Sequence, residues 1–443
     1  NGTLRYEGSN MLGKSRQARW LPTWNVSASW NAHEENWWAP TFGKAWTYAS
    51  LKGSYSLTAD RGPASNSLAV FTSFTPWRPS TSANESAIIL AALENSELTY
   101  EKKNELNIGV ALGFVDNRIN VEFDWYRRNN FDLIGYTQTM GVGGVTTKLA
   151  NDATMESTGC EFTISTTNIK TKDFKWTTDW IFGWAENTIT KLDSRSQVYS
   201  LVNGVGRTEG RPIGALYSIP FAGLTEEGLP TFYIDAEHTQ IAGPGNYADI
   251  YFQEYENIDY LKYEGTIDPK ITGSFGNTFS WKGLKLNVFF TYSFGNVLRL
   301  DNLCPVYSSD YSDLTASMKE MKNRWMVPGD ENVTTIPSIP TVRQMREIDA
   351  LNNAYSAYNY STERVAKGDF IRLKELSLAY DLPKKYFEGQ NAVSSFGVKL
   401  SATNLWLAYA DKKLNGRDPE YYNTGGVSSP VPRQFTLTVK LGF

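Results

Sequence analysis

The chain has 443 residues and carries 43 basic and 47 acidic side chains, with only 2 His and 2 Cys. That near balance makes no electrostatic case for nucleic acid, and His33 and His238 lie too far apart in sequence to build a His-based zinc site. No apolar run approaches the ~20 residues of a membrane-spanning helix; the longest lies around Ile88 to Leu93.

The aromatic content is high, with 14 Trp, 25 Tyr and 22 Phe, yet mean hydropathy is polar. A transmembrane β-barrel reconciles the two. Its strands alternate apolar-out with polar-in, and amphipathic rings form girdles at both membrane interfaces.

In chain order, Asn1 to Glu7 reads as the middle of a strand, with no initiator Met and no signal-peptide pattern before it. The expectation is a fragment whose upstream portion is missing or supplied separately. Trp37 and Trp38 sit near a short turn and read as interface anchors rather than sugar-stacking rings. Leu106, Ile108, Val110, Leu112 and Phe114 alternate with small or polar residues. After Asp116-Asn117-Arg118 the pattern resumes with Ile119, Val121, Phe123 and Trp125 against Asn120, Glu122 and Asp124. This predicts a hairpin with Glu122 and Asp124 toward water and the other wall toward lipid. A second hairpin pairs Cys160–Ile169 with Phe174–Trp184. A third pairs Ile271–Trp281 with the strand from Leu284 to Tyr292 across Lys282-Gly283. Ile371 and Leu373 are out of step by one residue with Leu376, Leu378 and Tyr380, so a β-bulge is expected at Lys374-Glu375. The last strand, Phe435 to Phe443, alternates again and ends on an aromatic residue.

Connectors fall into short ones, near Asp116, Lys170–Asp173, Lys282 and Leu382–Ser394, and long ones at 60–98, 135–156, 237–268, 298–365 and 409–433. Outer-membrane barrels have short periplasmic turns and long extracellular loops. Alternation then places the C-terminus in the periplasm and calls for an additional crossing near Leu229–Ala236, where Thr231-Phe-Tyr-Ile234 is available. The total expected is about 14 strands. Cys160 falls in a strand and Cys304 in a loop, two unpaired thiols.

Several segments together resemble SusC-like TonB-dependent transporters. They are Gly368-Asp-Phe-Ile-Arg-Leu-Lys-Glu-Leu-Ser-Leu-Ala-Tyr-Asp-Leu-Pro383, Ser401-Ala-Thr-Asn-Leu405, Gly416-Arg-Asp-Pro-Glu420 and Pro432-Arg-Gln-Phe-Thr-Leu437. Upstream, Leu98-Thr-Tyr-Glu-Lys102, Asn107-Ile-Gly109, Arg211-Pro-Ile-Gly214, Phe221-Ala-Gly223, Ser274-Phe-Gly-Asn277, Asn323-Arg-Trp325 and Ile339-Pro340 fit the same family. The resemblance runs from about Leu4 to Phe443. It implies that residues 1–443 are the C-terminal part of a plugged barrel of about 22 strands in a Gram-negative outer membrane, the plug domain, TonB box and N-terminal strands lying upstream. It further implies active import of nutrient oligomers, glycans first and oligopeptides second. Its implied partners are the TonB complex, outer-membrane lipid and a SusD-like surface lipoprotein that closes over the barrel mouth. Relatives often carry an acidic calcium-type loop after the equivalent of Phe221–Gly223. Here Asp235-Ala-Glu-His-Thr-Gln240 lacks the alternating oxygen ligands, so no calcium is expected.

No catalytic constellation, cofactor motif or metal set is read. Gly141-Val-Gly-Gly144 lacks the Lys-Ser/Thr and following helix of a phosphate loop, and Glu34, Glu35 and Asp349 read as solvated charge. The expected class is therefore a non-enzyme. Candidate substrate contacts are the loop aromatics Trp77, Tyr307, Tyr311, Trp325, Tyr421 and Tyr422, for which loop-against-loop packing is the competing role. A passive porin or structural barrel is the alternative function. A soluble all-β lectin or hydrolase fails on the outward apolar stretches and on loops as long as 298–365. Within 298–365 a helix-like stretch, Thr315 to Trp325, is expected to meet the lipoprotein.

Overall fold

A computed structural model describes residues 1–43, 45–64, 66–77, 86–142, 144–303, 319–383, 386, 393–422, 430 and 432–442. It divides into two compact units, Asn1–Arg195 with Thr208–Pro212, and Ser196–Arg207 with Ile213–Phe443. No described helix is long and apolar enough to cross a membrane.

The first unit is an antiparallel meander of seven long strands, β1 (Gly2–Gly8), β2 (Trp20–Trp30), β3 (Trp46–Asp60), β4 (Glu101–Phe114), β5 (Ile119–Gln138), β6 (Thr147–Lys170) and β7 (Phe174–Leu192), each paired with the next. The second unit carries five more, β8 (Ile271–Trp281), β9 (Leu284–Phe294), β10 (Phe370–Asp381), β11 (Ser395–Ala410) and β12 (Gln434–Gly442), in the same sequential pairing.

Registers align the alternation into walls. One row runs Trp30, Leu51, Val110, Phe123, Phe162, Phe182 across β2 to β7. The neighbouring row of opposite facing runs Ser29, Lys52, Gly109, Asp124, Glu161, Gly183. Gly109 makes room for an acid, since a Cβ there would meet the Asp124 carboxylate. In the second unit Phe279, Leu286, Leu378, Leu400 and Leu437 align in the same way, opposite Thr278, Asn287, Ser377, Ser401 and Thr436. Phe435, Leu437, Val439 and Leu441 are all more than half exposed to solvent. A sheet in water would cover such a wall, whereas a membrane barrel presents it to lipid.

Local chemistry sets the turns. Lys282 and Gly283 both have positive φ, the two-residue hairpin geometry whose twist matches the strands. Val115, Asp116 and Asn117 are also left-handed, a conformation Asn and Asp tolerate better than most residues. The expected bulge is present: Glu375 pairs with Phe289 and Leu373 with Phe290, leaving Lys374 unpaired on that strand. Near the 31–45 turn, Trp38 donates its indole N–H to the Trp46 carbonyl at 2.9 Å. Trp37, Phe42 and Trp46 pack on its ring, and Phe114 packs on Trp46. That is the ring density of an interfacial girdle.

Three expectations need correction. Leu229–Ala236 is not a crossing: Pro230–Tyr233 is the middle strand of a small sheet with Phe221–Leu224 and Ile241–Ala242. The short turn 171–173, the long connection 193–270 and the short turn 282–283 already alternate without it, so the described long strands number twelve rather than about 14. Most of 135–156 is also strand. β5 and β6 extend past a register shift near Leu133, where Asp132 has positive φ, leaving only 139–146 as the connection. Cys304, Phe443 and the start of the helix-like stretch, residues 315–318, lie outside the described residues; within the rest of that stretch Lys319–Asn323 forms a 3-10 helix.

Candidate functional site

In the second unit the connecting segments before β8 and before β10 fold into a subdomain with its own core. Val198, Leu201, Ile219, Phe232, Tyr247, Leu351, Tyr355 and Tyr358 are buried together. The helix Leu351–Asn359 explains part of this: Leu351, Ala354, Tyr355 and Tyr358 recur at helical spacing and form its buried face. Buried phenols are satisfied, with Tyr355 Oη donating to the Ser338 carbonyl at 2.7 Å and Tyr247 Oη to that of Pro230 at 2.8 Å.

One cation ties the segments together. The Arg299 guanidinium donates to the carbonyls of Ser361 (2.9 Å), Val202 (3.2 Å) and Tyr217. Burial pulls its pKa down to about 10, with the Glu264 carboxylate pushing the other way. Nearby, Arg364 pairs with Glu320 and donates to the Asp301 carbonyl at 2.7 Å. Burial raises the Tyr260 phenol to about 12, with Glu254 adding to the shift.

The Gly416–Glu420 segment acts as a clamp. Arg417 pairs with Asp301 and lies over the Tyr422 ring. Asp418 pairs with Arg372 of β10 and accepts from the Glu420 amide, while Glu420 reaches the Arg372 guanidinium at 3.2 Å.

Between the helix Leu351–Asn359 and the segments around Tyr199 and Tyr251 lies an open cleft of about 650 Å³. Tyr199 is tied to the neighbouring segment through its amide, which donates to the Phe252 carbonyl at 2.8 Å. The rings of Tyr199, Phe252 and Tyr360 meet edge-on at 6.0–6.5 Å between centroids. Burial, and next the adjacent Tyr199, raise the Tyr360 phenol above its ordinary value. Asn352 and Ser356, one helical turn apart, face this cleft, opposite the buried stripe of the same helix.

The sequence candidates are dispersed. Trp77 is 87% exposed, just after the short strand Val70–Phe74 of the first unit. Trp325 is half-buried: its indole N–H donates to Glu331 at 3.0 Å and its ring fills the space that a side chain at Gly228 would take. That bond, together with backbone amides that include the Gly329 N–H, holds the Glu331 carboxyl below the usual carboxylate range. Tyr422 accepts from Arg417 at 3.1 Å, and Tyr421 stands beside it in the 3-10 turn Pro419–Tyr421. Tyr307 and Tyr311 lie outside the described residues. The Asp235 loop folds on itself, with that carboxylate accepting from the amides of Thr239 (3.0 Å) and Gln240 (2.7 Å). The cleft residues Tyr199, Tyr251 and Asn352 were not singled out from sequence. The helical spacing of Leu351, Ala354, Tyr355 and Tyr358 was the available signal, since it puts Asn352 and Ser356 on the opposite face.

Meandering sheets with an outward apolar wall, a polar opposite wall and aromatic turns define a transmembrane β-barrel of the outer-membrane type. No family model matches the sequence. The chain is 26% identical over its whole length to TonB-dependent receptor P3 of Formosa agariphila, covering 43% of that protein. It is 34% identical over 99 residues, 22% of its length, to TonB-dependent receptor SusC of Bacteroides thetaiotaomicron, or 10% of that protein. Its fold superposes on one chain of the RagAB peptide transporter with a TM-score of 0.75 at 22% identity, covering all of this chain and 45% of that one. The chain is thus related over its whole length to the SusC-like TonB-dependent receptors. It spans less than half the length of the curated relatives it matches end to end.

Proposed function

We propose that the chain is the C-terminal barrel part of an importer in a Gram-negative outer membrane. In this reading it takes up nutrient oligomers, glycans first and oligopeptides second, energised through TonB. The observation that carries the reading is the end-to-end relation to TonB-dependent receptors. The relatives carry receptor and transporter names, in line with a non-enzyme. β1 and β12 each pair with a single neighbour among the described residues. An unpaired edge cannot persist in hydrocarbon, so in this reading further strands, in the same polypeptide or on a separate chain, close the barrel, and the resemblance implies a plug in its lumen. The short turns face the periplasm, as does the C-terminus.

A passive pore is the second reading. Against it stands the subdomain before β8 and β10, whose buried core is more than a rim of loops needs. In the import reading, 298–365 and 409–433 meet a SusD-like surface lipoprotein and enclose the cargo with the plug. Trp77, Tyr307, Tyr311, Trp325, Tyr421 and Tyr422 are carried as cargo-contact proposals. Deleting residues 306–315 tests the interface: lipoprotein co-purification weakens and uptake falls, while the barrel stays heat-modifiable. Unchanged binding and uptake would show that this segment is neither interface nor gate. Uptake that persists in cells lacking TonB would favour the passive pore.

A further inference from the structure

The cleft beside the helix Leu351–Asn359 has a composition unlike the rest of the chain. One residue in five of the sequence is charged (20%), yet among the described residues none of the side chains lining the cleft is. Amides dominate instead: Gln253, Asn302 and Asn352 are exposed, and Asn353 is half-buried beside them. Two phenolic rings stand at its mouth, Tyr251 at 55% exposure and Tyr199 at 46%. The volume, about 650 Å³, lies within the range of small-ligand sites.

Each feature selects for the same chemistry. A side-chain amide offers a donor and an acceptor a fixed distance apart, which matches the adjacent hydroxyls of a sugar. An exposed ring offers an apolar face to the C–H side of a pyranose while its hydroxyl stays wet. A carboxylate, sulfate or ammonium brought into this cleft would lose hydration and meet no charged side chain among the described residues that line it. Peptides satisfy the amides too, but their termini and side chains bring charges that no side chain among the described lining residues offsets. The helix is built to hold the arrangement, because Leu351, Ala354, Tyr355 and Tyr358 lock its other face into the core.

We propose that this cleft is a binding subsite for uncharged oligosaccharide. The proposal rests on the import reading, because it makes the cleft a stop on the route of the cargo.

The test uses the full receptor, purified from outer membranes with its lipoprotein partner. The probes are fluorescently tagged neutral oligosaccharides, their sulfated and uronate counterparts, and a tryptic peptide mixture. Neutral members should bind, and Tyr251→Ala and Asn352→Ala should each weaken binding by about tenfold or more. Both side chains are exposed, so heat-modifiability and the trypsin pattern should stay as in the parent; Gln253→Ala serves as a third, independent variant. Preference for charged oligosaccharides or for peptides would overturn the proposal, as would unchanged binding in all three variants. Uptake is scored separately in cells with and without TonB. Neutral oligosaccharides imported through TonB with unchanged binding by the variants would sink the cleft and leave the import reading standing. Binding lost in the variants with TonB-independent uptake would do the reverse.

Discussion

Phe123→Arg is the sharpest probe of the membrane-facing wall. On β5 the outward-facing row begins at Ile119, next to the Asp116-Asn117 turn, and ends at Arg127, whose guanidinium pairs with Glu156 at 2.7 Å. Arg127 and Glu156 mark where the wall leaves the apolar band. The eight residue steps between Ile119 and Arg127 rise ~3.4 Å each, about 27 Å along the strand and ~20 Å along the membrane normal after a tilt of ~40°. Phe123 is the midpoint of that stretch and sits in an unbroken row with Val110 and Phe162. An arginine there should cost ~2–4 kcal/mol, against ~0–1 kcal/mol at an interface. Val121→Arg, one pleat nearer the turn, should cost an intermediate amount, and Glu122→Arg on the opposite wall little. The measurement is reversible denaturant unfolding of the receptor refolded into lipid vesicles, followed by loss of the heat-modifiable band. The Phe123→Arg shift corresponds to a folding equilibrium weakened roughly 30- to 900-fold. Equal costs for Phe123→Arg and Glu122→Arg would refute the facing, and with it the outward wall.

Two further predictions concern the subdomain. Arg299→Met should leave the carbonyls of Val202, Tyr217 and Ser361 without their shared donor. The expected cost is ~3–5 kcal/mol of local stability, seen as faster protease cleavage within 196–268 and 296–365 while β-sheet content is kept; an unchanged cleavage pattern would mean that Arg299 is not the tie. Gly228 has positive φ and lies against the Trp325 ring. Gly228→Val should therefore expel the indole and cost ~1–3 kcal/mol, read as a change in fluorescence that is absent when Trp325 is first replaced by Phe. Identical spectral changes in both backgrounds would place the effect elsewhere.

Much of the sheet was legible because its signals are local. Alternation over Leu106–Trp125, Cys160–Trp184 and Ile271–Tyr292 specifies strands, and turn residues such as Lys282-Gly283 specify where they reverse. The slip between Leu373 and Leu376 even located the bulge, because a one-residue shift would otherwise turn one wall inside out. The subdomain was not legible in this way. Pro230–Tyr233 has the local pattern of any strand, and whether it crosses a membrane or joins a small sheet depends on partners at Phe221–Leu224 and Ile241–Ala242. Arg299 looks like any charged loop residue until three carbonyls from distant segments converge on it. The cleft is of the same kind: Tyr199, Tyr251 and Asn352 come from three separate segments with no common spacing. Periodicity reports which way a side chain points along its own strand or helix; only long-range packing decides which side chains meet.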